Sequence, residues 1–494
     1  MTPLALLALS LASAPAQVHA EHAAEALGAT ARPFVQGPHL LPDPTPGPDA
    51  VVYGYQAYWN ADLAAVPWDH LSHLAIFDAH VTPTGALEHT SRWAIASEAV
   101  EIAALYGVRV HLCITNFDTG ELETLLGSPA ARQDLIDALV GWVADTGAHG
   151  VNVDFENLPA SRRSHMVQFI QDLEAAVGEV VVATPSVDWH DAWDFATLTD
   201  HADLFLMGYG YHWSGSEVAG PNDPLYGGDP WHPWSLDGSV QTYLEQGADP
   251  DRVILGLPLY GFRWPVVSGD IPSATTGTGS SIVWAAAHEE AAIHGRSFEP
   301  HSRTPWWYDG AQQGWYGDTD SLQERVAYAL DEGLAGIGFW ALHYDGRDAA
   351  LWEMVAAETT VPGEPETAAP AGDWIADAGP PFLAYPGDTI VLSGALSQGP
   401  GALSYRWSQV AGPEVDLDDP AALEPSFRAR WPGTHVFALE VGDGETWSAP
   451  ARSHVVVLDP KAGSRYLTCG CASAPGPVSG LVVLLLGALA RRRA

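Results

Sequence analysis

The stretch His149-Gly150-Val151-Asn152-Val153-Asp154-Phe155-Glu156-Asn157 holds the residues best suited to acid–base chemistry in this sequence. On an extended strand side chains alternate, so Asn152, Asp154 and Glu156 share one face and Val151, Val153 and Phe155 take the other. In an antiparallel sheet such a polar face would mean only contact with solvent. A parallel strand is covered on both sides and normally reads as continuous apolar residues, so acids on its inner face need an explanation. Next-but-one carboxylates lie about 6–7 Å apart along a strand. One charge then raises the pKa of the other group, and one of the pair can stay protonated. Glycosidic bond cleavage uses that division of labour, because the leaving oxygen needs a proton while the oxocarbenium-like centre needs stabilising.

The elements that must position this face recur along the chain. Short apolar strands are expected at Val51–Trp59, Leu71–Phe77, Val108–Thr115, Val151–Phe155, Val180–Pro185, Leu204–Tyr209, Val253–Leu259 and Gly336–Leu342. Helical patterns lie between them, among them Ser97–Tyr106, Ala130–Thr146, Ser161–Val177 and Ser321–Glu332, with a Ser N-cap expected for all but the second. Eight βα units in about 300 residues predict an α/β fold, a (β/α)8 TIM barrel over residues 51–358, with chemistry at the C-terminal ends of its strands. A doubly wound open sheet is the rival, but no Gly-rich phosphate loop follows the first strand. Two connections are long: Gly210–Gly238, with Trp213, Trp231 and Trp234, and Trp264–Asp320, with Trp306, Trp307 and Trp315. Tryptophan-bearing loops at one rim suggest a binding cleft. Residues 359–372 read as a Pro/Ala/Glu linker, and residues 373–460 as a small all-β immunoglobulin-like sandwich. Its strands are expected at Thr389–Ser393, Leu403–Val410, Thr434–Val441 and His454–Leu458.

The catalytic stretch resembles the Asp-x-x-Asp-x-Asp-x-Glu signature of glycoside hydrolase family 18, with Asp154 and Glu156 on its last two acidic positions. Met207-Gly208-Tyr209, Leu255-Gly256-Leu257-Pro258-Leu259-Tyr260-Gly261 and Gly336-Ile337-Gly338-Phe339-Trp340 extend the resemblance over most of residues 51–357. The details look most like the bacterial subgroup related to spore-cortex-lytic enzymes, in which Asn at the second position, as at Asn152, is familiar. The resemblance implies substrate-assisted, retaining cleavage of a β-linked N-acetylhexosamine polymer, with peptidoglycan favoured over chitin. It gives Glu156 the role of acid and Asp154 that of partner to the sugar's 2-acetamido group. Tyr209 would hold the acetamido carbonyl and Trp340 would floor the sugar ring. No metal or other cofactor is implied. Asn152, Tyr55, Phe77, Asn116, Met207, Trp213 and Trp264, at or just beyond strand ends, are the further expected substrate-binding residues. The sequence departs from the family at His149, in the first acidic position, and at Gly210, where Asp often stands. A non-hydrolytic carbohydrate-binding protein is the alternative, and an adhesin dominated by its sandwich is a third reading.

In the sandwich, Tyr405-Arg406-Trp407 and Val441-Gly442-Asp443-Gly444 resemble polycystic-kidney-disease-type immunoglobulin-like modules. Residues 1–20 carry an apolar run and small residues ending in Val18-His19-Ala20, the pattern of a secretory signal peptide, and residues 21–50 read as a linker. Residues 469–494 open with Cys469-Gly470-Cys471 and close with Val478–Ala490 and three arginines. That order is similar to myxobacterial-type sorting tails, which predicts a secreted, surface-anchored protein whose tail sits in the membrane or is processed by a sorting protease. The apolar run is shorter than the roughly 17–25 residues of a spanning helix.

Composition narrows the partners. The 494 residues carry 21 Lys+Arg against 61 Asp+Glu, a formal net charge of −40. Such a surface repels phosphate backbones, so nucleic acid is excluded as a partner; the family resemblance implies a polysaccharide containing N-acetylglucosamine, and a monomer is expected. Cys113 stands alone in the first 460 residues, so no disulfide framework is available there. With self-repulsion this strong, screening is expected to stabilise the fold. The melting temperature should rise as NaCl goes from low to molar levels; a fall would refute the reading.

Overall fold

The computed structural model describes residue 22 and residues 37–44, 47–360 and 374–459. Eight parallel strands close into a barrel: β1 Val51–Ala57, β2 His73–Val81, β3 Arg109–Asn116, β4 Gly150–Phe155, β5 Glu179–Pro185, β6 Asp203–Met207, β7 Val253–Pro258 and β8 Gly336–Trp340. Each pairs in parallel with its neighbour in sequence, and β8 closes on β1 through Gly336↔Val51 to Phe339↔Gly54. The expected strands are therefore present. The largest difference is at β2, which runs on past Phe77 through Asp78 to Val81, with a register shift between Ile76 and Ala79. A carboxylate inside an apolar run read as a strand end; in the barrel its partners come from neighbouring elements.

The interior is filled by side chains rather than left as a pore. Phe205 of β6 reaches across the axis because β7 and β8 offer it glycines. A methyl at Gly338 would overlap the Phe205 ring and come within 2.9 Å of both Cβ and the carbonyl oxygen of Tyr53. Gly338→Ala is expected to cost about 1–3 kcal/mol through overpacking, read as a lower denaturation midpoint with an unchanged slope.

The helices follow the expected spans, but their caps do not. Of the four expected helices, Pro129–Thr146 is the one that a serine caps, Ser128 accepting from Ala131 N at 3.2 Å. Ser97 lies inside helix Ala96–Tyr106, and Ser161 lies in a 3-10 turn before Arg163–Val177. Helix Thr319–Asp331 is capped by Asp318, with Ser321 returning a bond from three positions on. A carboxylate serves this cap as well as a hydroxyl does, and one residue type alone does not set the register.

The stretch Trp264–Asp320, expected as a long loop, is mostly ordered. Tyr260–Pro265, Ser280–Val283, Ser297–Glu299, Thr304–Tyr308 and Gln312–Trp315 form a five-stranded antiparallel sheet, with helix Trp284–His294 beside it. Pairing the strands satisfies backbone groups that a bare loop of that length would leave to water. The connection Gly210–Gly238 is irregular and is fastened by Arg325, whose guanidinium bonds Asp223 Oδ2 at 2.6 Å and Asp223 O at 2.7 Å.

After the barrel, Phe382–Ala384, Ala451–Val457, Gly433–Gly442 and Ser404–Ala411 form one sheet, and Thr389–Val391 pairs with Ser426–Arg428 in a second. Trp407, Phe427, Phe437, Leu439 and Val455 fill the space between them. The segment read as an N-terminal linker contributes a strand here: His39–Leu40 pairs with Phe382–Leu383. Tyr106 OH donates to Pro42 O at 2.6 Å, and Leu383, Val456 and Leu458 join the barrel's apolar cluster, so this segment straps sandwich to barrel. The acids of the sandwich serve turns; Asp443 Oδ1, for example, accepts from Glu445 N and Thr446 N at 2.9 and 2.8 Å.

Candidate active site

Alternation along β4 delivers the expected face. Asp154 is buried at its upper end, and Glu156 follows directly, held there by a backbone bond from its N to Asn116 O at 3.0 Å. Asn152 lies one layer lower, fully buried, donating from Nδ2 to Tyr55 OH at 2.9 Å and accepting from the Cys113 thiol at 3.1 Å. It therefore stands under Asp154 as a spacer inside the barrel, with Tyr55 and Cys113 as its partners.

Burial, reinforced by the charge of Asp78, raises the Asp154 carboxyl to about 8. The shift favours the protonated form of the group. Burial, and then Tyr260, Asp154 and Glu156, push the Tyr209 phenol well above its ordinary value, so Tyr209 is a neutral hydrogen-bond donor. Tyr209 stands just beyond β6 with its ring 6.0 Å from that of Tyr260.

Trp340 ends β8 and forms the centre of an aromatic floor. Its ring lies 4.8 Å from Phe77, 5.4 Å from Tyr55 and 6.2 Å from Trp59, all in tilted or edge-on contacts. Trp59 is fixed in turn by Nε1 donating to Tyr344 OH at 3.2 Å. On the other flank a small pocket is lined by Glu156, Ser186, Trp189, Trp193, Met207 and Tyr209. The Trp189–Trp193 turn is shaped by Asp188, which accepts from Ala192 N at 3.0 Å and Trp193 N at 2.9 Å.

Glu156, Asp154, Tyr209, Met207, Tyr55, Phe77 and Trp340 thus gather at one end of the barrel. Besides Asn152, whose amide is spent on Tyr55 and Cys113, two expected binding residues have other work. Asn116 spends its amide on Val81 O at 2.7 Å and Glu121 Oε2 at 2.9 Å, and its oxygen accepts from Asp118 N at 2.9 Å. It faces away from the acids and fastens the loop. Trp264 lies within the inserted sheet, its ring beside Phe262 and its Nε1 donating to Trp213 O at 3.1 Å, away from the strand ends that carry the acids. Trp213 is half-buried on the long connection. Arg263 pairs with Glu290.

The two departures from the signature are accounted for by position. His149 precedes β4, at the end opposite Glu156, where its Nδ1 accepts from Val110 N at 2.9 Å. Gly210 has φ 85° and donates its N–H to Asn222 Oδ1 at 2.9 Å, a left-handed conformation that Asp would adopt with strain. Sequence reasoning missed Trp189, Trp193, Asp78 and Arg92. Asp78 carried a signal, being an acid in the apolar run Leu74–Val81, the same anomaly that marks β4.

A closed parallel barrel with two acids, a phenol and an aromatic floor at the C-terminal ends of its strands defines a glycoside-hydrolase-type site. The chain belongs to glycosyl hydrolases family 18, whose model matches residues 51–345. It is similar to the "Probable endochitinase" of Caenorhabditis elegans, 25% identical over 265 residues, 47% of this chain and 42% of the relative. It is also similar to the "Putative sporulation-specific glycosylase YdhD" of Bacillus subtilis, 25% identical over 295 residues, 55% of this chain and 66% of the relative. The chain spans between about two fifths and two thirds of the length of these curated relatives. Among solved structures, a family 18 chitinase from Cycas revoluta in complex with (GlcNAc)3 superposes with a TM-score of 0.58 at 17% identity, covering 63% of this chain and 99% of that one. At that identity the likeness concerns the fold.

Proposed function

We propose that this protein is a retaining glycosidase acting on β-linked N-acetylhexosamine polymers, with peptidoglycan as the favoured substrate and chitin next. The observation that carries the reading is the buried Asp154, Glu156 and Tyr209 set beside the Trp340 floor. In this mechanism Glu156 protonates the glycosidic oxygen. The substrate's own acetamido carbonyl oxygen attacks the anomeric carbon, the bond to the leaving oxygen breaks, and an oxazolinium ion forms. Asp154 accepts the amide N–H and stabilises the positive charge, while Tyr209 donates to the acetamido group. Water, deprotonated by the now ionised Glu156, then opens the ring with net retention. The apolar face of the sugar packs on Trp340.

Peptidoglycan is favoured by the likeness of the motifs to spore-cortex-lytic enzymes and by the sporulation-specific description of one relative. Secretion through residues 1–20, anchoring through residues 469–494 and the polycystic-kidney-disease-type identity of the sandwich belong to the same proposal and rest on sequence pattern; both terminal segments lie outside the described residues. The test is mass spectrometry of products from purified peptidoglycan and from N-acetylglucosamine oligomers. Muropeptides with new reducing ends support the wall-lytic reading, and chito-oligomers support a chitinase. Binding to either polymer without cleavage would replace the proposal with the non-hydrolytic carbohydrate-binding alternative.

A further inference from the structure

Asp154 is enclosed by groups of uneven kind. Beneath it stands the neutral amide of Asn152, where the family signature has an acid, so no carboxylate supports it from within β4. A carboxylate approaches from the side instead. Thr115 of β3 is in register with Asp154, and its hydroxyl donates to Asp78 Oδ2 at 2.6 Å. Asp78 Oδ1 accepts from Arg92 Nη1, also at 2.6 Å. The Arg92 guanidinium is itself seated 3.8 Å above the Tyr58 ring. The Asp78 side chain is 7% exposed and that of Arg92 26%, so the anion is buried toward Asp154 and its cation lies on the outer side.

We infer that Asp78, clamped between Thr115 and Arg92, is a positioning residue for Asp154. It supplies from β2 the neighbouring negative charge that Asn152 does not supply from β4. The inference rests on the proposed glycosidase reading and deepens it. A carboxylate beside a second carboxyl group disfavours the charged form of that second group. Asp154 Oδ1 has no hydrogen-bond partner among the described residues, whereas both oxygens of Asp78 are engaged. The other titratable groups around Asp154 are the Cys113 thiol, the Tyr55 and Tyr209 phenols and Glu156, none of them cationic. Asp154 thus favours its neutral form, and positive charge developing on the substrate shifts it toward the carboxylate, the proton passing to solvent water.

The test is an infrared titration of the full-length protein, following the carbonyl band of a protonated carboxyl that disappears in Asp154→Asn. In Asp78→Asn the midpoint of that band is expected to move to lower pH by roughly one unit, while Asp78→Glu, which keeps the charge, holds it near the wild-type value. The limb of the kcat/KM profile that reports Asp154 should move in the same direction. If Asp78→Asn does not fold, Arg92→Gln takes its place: stripping the counter-charge should move the midpoint upward. An unchanged midpoint in the variant that folds overturns the inference. Absence of cleavage by the wild type would instead count against the glycosidase reading, because the infrared midpoint is measured without turnover.

Discussion

Glu156→Gln is expected to lower kcat on N-acetylglucosamine oligomers or peptidoglycan by about 10²–10⁴-fold, with KM and melting temperature little changed. The substitution keeps the shape of the side chain and its capacity for hydrogen bonding, and removes only the transferable proton. Glu156 is 4% exposed and is anchored through its backbone to Asn116 O at 3.0 Å, so the amide should occupy the same place. Because the lost interaction is made in the transition state, the effect belongs in kcat rather than in binding. Product release by Glu156→Gln at the wild-type rate would show that another group is the acid. Asp154→Asn is a useful contrast: it keeps a neutral hydrogen-bonding group against the acetamido N–H but cannot develop the negative charge that the oxazolinium ion needs.

The largest stability effect is expected at Arg325, which is 1% exposed although charged. Its guanidinium spends its donors on Asp223 Oδ2 and O, on Ser321 O at 2.8 Å, on Arg303 O at 3.0 Å and on Thr304 Oγ1 at 3.0 Å. One side chain thereby ties the connection after β6 to the inserted sheet and to helix Thr319–Asp331. Burial pushes the Asp223 carboxyl up, opposed first by Arg325 and then by the residue's own backbone N–H. Arg325→Leu would strand that acid in the interior and is expected to cost about 3–5 kcal/mol, measured as a loss of denaturation midpoint. The neighbouring Asn222 holds Gly210 N at 2.9 Å, so the same variant should also loosen the segment that carries Tyr209. The double variant Asp223→Leu with Arg325→Leu should recover part of the loss, since replacing both members leaves no uncompensated charge.

Much of the site was legible in residue order because a strand is a period-two object. Asn152, Asp154 and Glu156 had to share a face, and an acidic face in a covered parallel sheet had to be explained. The motifs at Met207–Tyr209 and Gly336–Trp340 placed Tyr209 and Trp340 at the ends of β6 and β8 in the same way. What resisted reading was every case in which one residue type serves two purposes. Asn116 sits at a strand end like a ligand contact, yet its amide closes a loop. Trp264 has the composition of a sugar platform but is fully buried within a sheet. Aromatic and amide groups pack and hydrogen-bond equally well against protein or carbohydrate, so only their neighbours distinguish the roles.

The sequence by itself determined the barrel, through alternating apolar strands and helices, and singled out β4 as the strand with misplaced acids. Both are properties of contiguous residues. Tertiary structure alone decided that β2 continues through Asp78, that Arg92 and Thr115 clamp it beside Asp154, and that His39–Leu40 straps the sandwich to the barrel. Those contacts join residues far apart in the chain, and their energies arise from burial and charge that exist only once the barrel has closed.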